Sequence, residues 1–489
     1  MIQTFKKYFD PLAAVGLGAE GRNCLAYTAE EDAAHHLFGQ FGAELGLACE
    51  VDGWGNSYLT WVPPGLSAEL PAIAIGSHLD SVTNGGRFDG VLGVAAGLAL
   101  IDQLQQRNSA SERATGDGVA LHAPLRVIAW RAEESSRFRV SCIGSKGAAG
   151  RWKQAEIERY SAVGSDSSSL YEAILPRQGQ APSPIDTDAV HTLLELHIEQ
   201  GPILAHKRDH SLAGAVPVGI VSQGVAGSRR ELWSLPSLPL KSVVELMLKV
   251  YRLAAEMDTT QRPFRATFTP PHRAPNVGRD QTLLTGADLQ QQRRLLQQGG
   301  ACGSAGETLF QGPQTFHTGG QPMSMRHGLD QIYMAALAIE QLPDDQGLSW
   351  PDFKCEDGLQ LQLDLRGGDQ EILQQGSAEI DRLIERSGFP CERREVSRTK
   401  PAPMTPRLAE TLRLNAQQLQ IPTVEMACGA SHDVQIADLP QRGLLLIASE
   451  AGGVSHHRSE LSRDADIERA LELLEQALLN REYPLVSEV

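Results

Sequence analysis

The sequence predicts an α/β fold, a mostly parallel sheet flanked by helices, with a smaller α+β domain inserted into it. Three features of the 489 residues carry that expectation. Four short apolar runs end abruptly in polar or ionisable residues: PAIAIGSHLD (71–80), LRVIAWRAEE (125–134), HTLLELHIEQ (191–200) and RGLLLIASE (442–450). Helix-like stretches separate them, and the middle of the chain changes character. Continuous apolar composition without alternation is what a strand covered on both faces needs, as in a parallel sheet layered between helices.

At the N-terminus, Lys6-Lys7 leads through Asp10-Pro11 into a short, glycine-broken apolar stretch, which makes a poor signal peptide. GLGAEG (16–21) has the spacing of a dinucleotide fingerprint but neither a strand before it nor a clear helix after it. The longest apolar run, 91–101, is far shorter than the ~20 residues of a membrane span and reads as part of a buried helix over 91–104. A second core helix is expected at 466–479. Between the sheet segments, residues 219–398 contain Pro-rich turns, a Gln-rich tract (289–298) and GLQLQLDLR (358–366), whose alternation predicts a strand with one wet face. Ser242-Val-Val-Glu245 reads as a capping box opening an apolar helix that runs to about Met257. The expected organisation is thus a larger domain from 1–218 and 399–489, the one that holds the four apolar runs, enclosing a smaller domain at 219–398.

A net charge of −16 gives no general attraction to phosphate backbones or anionic lipid, so a small-molecule partner is expected, with neither nucleic acid nor membrane. The seven cysteines are odd in number, scattered and free of CxxC pairs, the usage of reduced thiols in a cytoplasmic protein. No HExxH, Walker loop or GxSxG elbow is present, which removes the simplest single-metal protease, NTPase and serine-hydrolase readings.

Ionisable residues gather where the four apolar runs end, the edge where open α/β sheets place their functional groups. GSHLDSVTNGGRFDG (76–90) offers His78, then Asp80 two residues on, and Asp89 in a Gly-rich turn. A His-x-Asp pair suits metal binding, because a ligating imidazole needs a carboxylate or carbonyl on its other nitrogen. Glu133-Glu134 can divide labour between metal and proton. His197 interrupts LLELHIE, and the two glycines of GGVSHH (452–457) permit a turn aiming His456 or His457 at the same cleft. Three imidazoles and two carboxylates, plus a spare Glu, suit Zn, Mn, Co or Ni. Five protein ligands exceed what one open catalytic ion takes and fit two divalent ions sharing a carboxylate.

With these blocks in place, together with ELHIEQGPIL, the PMSMRHGLD region and GASHD, the chain resembles the group of N-carbamoyl-L-amino-acid hydrolases, β-ureidopropionases and allantoate amidohydrolases. That group is a branch of the dimetal aminoacylase and carboxypeptidase clan. The resemblance implies that Asp89 bridges two ions, with Glu134 and His456 on one and His78 and His197 on the other. It implies Glu133 as general base, Gln200 as a contact to the ureido group, Arg366 of LDLR as the grip on a substrate carboxylate, and His317 as a lid histidine reaching a partner's site in a homodimer. His197 itself separates the ureido-hydrolysing branch from the peptidase branches, which usually carry an acidic residue there.

The chain departs from the group's pattern in its middle. GIVSQGVAGSRRELW ends at Trp233 whereas TFHTGG begins only at Thr315, so an insertion is expected at roughly 234–306. No Asn stands between Thr315 and Arg366, and Asn276 of APNVGRD is a candidate substitute for the missing lid asparagine. The expected activity is hydrolysis of a linear C–N bond in a carboxylated ureido compound, an N-carbamoyl amino acid or allantoate, by a hydroxide between two ions, Zn or Mn, with Co or Ni as further options. The alternatives are an aminoacylase or dipeptidase acting on N-acyl amino acids, and a non-catalytic metal-binding relative with an altered lid.

Overall fold

The computed structural model describes residues 1–115, 121–163, 168–186, 188–209, 217–236, 240–258, 264–269, 359–480, 482 and 485. Two compact units emerge, one formed by Met1–Ala226 with Pro401–Val489, the other by Gly227–Lys400.

The first unit is built on an eight-stranded sheet. Its strands in this unit are β1 (Cys49–Val51), β2 (Ser57–Trp61), β3 (Ala72–His78), β4 (Leu125–Trp130), β5 (Val190–Ile198) and β6 (Val218–Val225). They are completed after the second unit by β11 (Thr423–Cys428) and β12 (Gln441–Ile447). The spatial order is β11-β6-β12-β5-β3-β4-β2-β1. The four apolar runs are its four central neighbours, β12, β5, β3 and β4, and they run parallel. Antiparallel pairings of β2 with β4 and of β6 with β12 begin the flanks. Of these outer strands, β6 opens with the apolar VGIV that leads the GIVSQGVAGSRRELW block, and the others are short and mixed in polarity.

Burial on both faces is explicit along β3: Ile73 and Ile75 enter one core, and Ala74 between them enters the other. β12 repeats the division, with Leu445 and Ile447 on one side and Leu444 and Leu446 on the other. The first core is closed by α1 (Ile2–Ala14), α2 (Ala29–Glu44), α3 (Val91–Thr115), and the C-terminal helices α6 (Pro406–Gln418) and α7 (Asp464–Leu479). Ten residues of α3 are buried there, from Val91, Leu92 and Val94 to Leu104, so its first half has apolar neighbours nearly all round. No helix among the described residues is long and apolar enough to cross a membrane.

The second unit has a four-stranded antiparallel sheet of β7 (Gly227–Leu235), β8 (Phe264–Thr269), β9 (Leu359–Gly367) and β10 (Glu392–Thr399), in the order β8-β9-β7-β10. Helices α4 (Leu240–Met257) and α5 (Gln370–Ser387) pack on it. Asp369 caps α5 by accepting the Ile372 N–H at 2.7 Å, and Gly388 ends it in the left-handed region.

Three expectations meet differences here: the helix start at Ser242, the wet face of the 358–366 strand and the domain boundary at 218. Ser242 lies inside α4, which begins at Leu240, so Ser242-Val-Val-Glu245 is not the helix start. The polar face of β9 is not wet at its centre: Gln362 and Asp364 are buried along with Leu361, Leu363 and Leu365, and Asp364 is held by Arg230 and Arg366. The apolar helix of the 234–306 segment packs within this unit, as its composition requires. Val243, Leu246, Met247, Val250 and Ala254 of α4 form its core with Phe264 and Leu363, and β8 pairs with β9 from Phe264↔Gly367 to Thr269↔Gln362. The first unit reaches Ala226 rather than 218 because β6 pairs in the large sheet.

Candidate metal centre

The parallel strands end together, and their ends carry the donors. His78 is the last residue of β3, His197 the penultimate residue of β5, and Glu133-Glu134 follow β4 after Ala132, whose φ of 54° turns the chain sharply. Asp89 and Gly90 sit between β3 and α3. Gly90, with φ 72°, tolerates no side chain, since an added Cβ would stand 2.5 Å from the His78 ring. Beyond β12, Gly452 and Gly453 both have positive φ, and a Cβ on Gly453 would lie 1.9 Å from the Gly201 carbonyl oxygen. That turn, with His456 itself at φ 60°, sends His456 inward. His457 is partly exposed and pairs its Nδ1 with Ser459 Oγ at 2.7 Å.

The donors converge on Asp89. Its Oδ1 lies 3.2 Å from His78 Nε2 and 3.1 Å from His197 Nε2, while its Oδ2 lies 3.0 Å from His456 Nε2. The same His456 nitrogen is 3.0 Å from Glu134 Oε1. His78, Asp89 and His197 thus form one group of donor atoms within 4.8 Å of one another, and Asp89, Glu134 and His456 a second. One carboxylate serves both groups through different oxygens. All five residues are buried.

This set fits divalent cations on chemical grounds. His197 Nδ1 is 3.0 Å from the Ile198 carbonyl, and His78 Nδ1 faces the carbonyl (3.2 Å) and carboxylate (3.3 Å) of Asp80. In the neutral rings those contacts place the proton on Nδ1, so Nε2 lone pairs point at carboxylate oxygens. Acceptors facing acceptors require a proton or a cation between them. Protons take that role in the metal-free chain: burial disfavours imidazolium, but the facing carboxylates outweigh it and raise His78 and His456 well above the ordinary histidine range, with His197 raised too. Burial likewise disfavours ionised Asp89, yet His197 and His456 hold it well below the usual carboxylate range.

Asp80 lies behind the donors and is fully buried. Besides meeting His78, its carboxylate accepts the backbone N–H groups of Glu133 and Glu134, both at 3.0 Å, tying the ends of β3 and β4 together. Glu133 is raised to about 7 by burial and then by the Glu134 charge beside it. Its Oε1 accepts the buried Cys142 thiol at 3.1 Å. The Gln200 amide lies 2.8 Å from Asp89 Oδ2 and 2.9 Å from His456 Nε2.

Arg366 belongs to the second unit, where it pairs with Asp364 at 3.0 Å. His317 and Asn276 lie outside the described residues. Sequence reasoning assigns no role to four buried groups near the donors. Glu195 and His432 adjoin His197, whose ring centroid is 4.6 Å from that of His432. Cys142 touches Glu133, and Glu460 contacts both the Asp89 and His456 turns. His432 lies in GASHD and Glu460 closes GGVSHHRSE, so their blocks are visible in the sequence, but a lone acid after a turn looks like any solvated carboxylate.

The family model described as peptidase family M20/M25/M40 matches residues 74–480. An N-carbamoyl-L-amino acid amidohydrolase of Geobacillus stearothermophilus is 36% identical over 212 residues, covering 42% of this chain and only 45% of that protein. An allantoate amidohydrolase of Bacillus subtilis is 24% identical over 491 residues, covering 97% of each. Among solved structures, an amidase of the hydantoinase/carbamoylase family from Burkholderia multivorans has a similar fold, with a TM-score of 0.66 at 19% identity, covering 98% of this chain and 97% of that one.

Proposed function

From the fact that the chain belongs to the peptidase family M20/M25/M40, whose members depend on metal, we propose that it hydrolyses a carboxylated ureido compound, an N-carbamoyl amino acid or allantoate, at a centre for two divalent ions, Zn or Mn. The observation that carries the reading is the division of Asp89 between two donor groups, Oδ1 toward His78 and His197 and Oδ2 toward His456 beside Glu134. The amidohydrolase names of the Geobacillus and Bacillus relatives supply the substrate class.

Ions held by these residues would acidify water and polarise the carbonyl under attack. The chain's own residues do the rest. Glu133, whose Oε1 is held by Cys142, takes the water proton at Oε2 and returns it to the departing nitrogen. A base near 7 suits that exchange at neutral pH. Asp80 keeps His78 and the Glu133-Glu134 backbone in register. Gln200, beside Asp89 and His456, offers its amide to the ureido group. Arg366 would hold the substrate carboxylate in a forked pair and His317 would stabilise the oxyanion, which in a homodimer includes the partner's site. The products of a carbamoyl substrate are the amino acid, ammonia and carbon dioxide. A cytoplasmic location belongs to the same proposal, which rests on the odd number and scattered placement of the seven cysteines.

A screen of N-carbamoyl amino acids and allantoate for ammonia release, with Mn, Zn and Co, tests it. Ammonia from at least one supports the reading. Turnover of N-acyl amino acids or dipeptides alone would move the chain to the aminoacylase reading, and no turnover by metal-loaded protein would make it a binding protein.

A further inference from the structure

Glu460 lies beyond the strand ends and outside both donor groups, yet it is buried and its two oxygens engage both halves of the centre. Oε1 accepts the backbone N–H of Phe88 at 2.7 Å and of Asp89 at 3.0 Å. Oε2 accepts the Ser455 hydroxyl at 3.0 Å and the backbone N–H of His456 at 3.3 Å. Four donors from two loops far apart in sequence therefore meet one carboxylate. A neutral amide cannot replace it, because its NH2 group would face two of those donors. Ser455 Oγ also lies 2.8 Å from Asp89 Oδ2, so its single hydroxyl proton sits between Glu460 and the shared carboxylate and links the clamp to it.

The chain makes room for this side chain at a second place. A Cβ built on Gly86 would stand 2.2 Å from Glu460 Cδ and 2.5 Å from Glu460 Cβ. Real Cβ atoms do not approach so closely, and a side chain fixed by four hydrogen bonds has no free rotamer to retreat into. Gly86 is thus a glycine for the sake of Glu460, and the Gly-Gly of TNGGRFD acquires a reason beyond turn formation.

We infer that Glu460 is a positioning residue for the metal centre, locking the Asp89 turn to the His456 turn so that the two donor groups close around their shared carboxylate. The inference rests on the reading of this site as a metal centre and not on the identity of the substrate. Without the clamp, the backbone N–H groups of Asp89 and His456 lose the carboxylate that joins their two turns, and the ions meet a site that must be ordered further as they bind. Groups behind metal ligands typically contribute about 10- to 100-fold in metal affinity.

The test measures Zn and Mn affinity of stripped full-length protein by competition with a chromophoric chelator, for wild type, Glu460→Gln and Gly86→Ala. Denaturation of the metal-free forms is followed in parallel. Both variants are expected to bind metal about 10- to 100-fold more weakly, with wild-type KM at saturating metal. Gly86→Ala reaches the same end with the carboxylate intact, so it decides the matter if Glu460→Gln does not fold. Wild-type metal affinity in a folded variant overturns the inference, as does weaker binding wholly accounted for by lost metal-free stability. Because affinity is read without substrate, a wild type that binds metal but hydrolyses no ureido compound refutes the proposed function and leaves this inference testable.

Discussion

Asp80→Asn is the most informative single substitution, because one oxygen and one charge are changed without altering shape. The Asp80 carboxylate meets three donors, His78 Nδ1 at 3.3 Å and the N–H groups of Glu133 and Glu134 at 3.0 Å. Oδ1 serves His78 and Glu133, and Oδ2 serves Glu134. An amide has one acceptor oxygen; placed at Oδ1 it keeps two contacts and turns its NH2 group onto the Glu134 N–H. One stranded buried donor costs about 1–3 kcal/mol of metal-free stability. Loss of the charge behind His78 weakens metal binding by about 10- to 100-fold, which corresponds to about 1.4–2.8 kcal/mol. Chemical denaturation of stripped protein reads the first quantity and chelator competition the second. An Asp80→Asn protein with wild-type metal affinity and stability would refute the role given to Asp80 in joining the two strand ends.

Glu133→Gln should keep its metal and lose turnover by about 10²-fold or more, since the amide has no proton affinity; rates near wild type would remove it as the base. His456→Ala should lose metal and His457→Ala keep it, because only His456 faces Asp89 and Glu134; metal analysis of the two purified variants decides. The metal-free protein should become less stable as pH rises. Burial lifts Glu31, Glu133 and Glu460 to about 7 and Asp52 to about 6, so from about pH 4.5 to 7 the folded state holds more protons than the unfolded one. His35 and His191, both held low by burial, work the other way below about 6.5, while the raised His78, His197 and His456 steepen the fall above it. Thermal denaturation of stripped protein between about pH 6 and 7.5 checks the sign, and a Tm that rises with pH contradicts it.

The centre of the fold was legible because burial on both faces forces a continuous apolar run. Such runs identify 71–80, 125–134, 191–200 and 442–450, which the structure makes four adjacent parallel strands. The candidate donors were legible for a related reason: each strand-end charge is weak evidence alone, but four buried strands ending in His, Asp or Glu bring them to one edge of the sheet, where the structure groups them around Asp89. What local pattern cannot reveal is which side chain a turn aims inward. GGVSHH offers two imidazoles, and the choice between them rests on Gly452, Gly453 and the left-handed backbone of His456. Groups that act through others were less legible still: Glu460 and Cys142 gain meaning only once loops distant in sequence meet. In the second unit, Gln362 and Asp364 read as a solvated face because alternation specifies polarity, and a buried ion pair with Arg230 satisfies the same pattern.

Ammonia release by metal-stripped protein as Mn or Zn is titrated back tests the account most directly. With an N-carbamoyl amino acid or allantoate as substrate, stripped protein should be inactive, and turnover should rise with added metal to a plateau at two ions per chain. Full turnover by the stripped protein, with bound metal excluded by elemental analysis, would contradict the central claim.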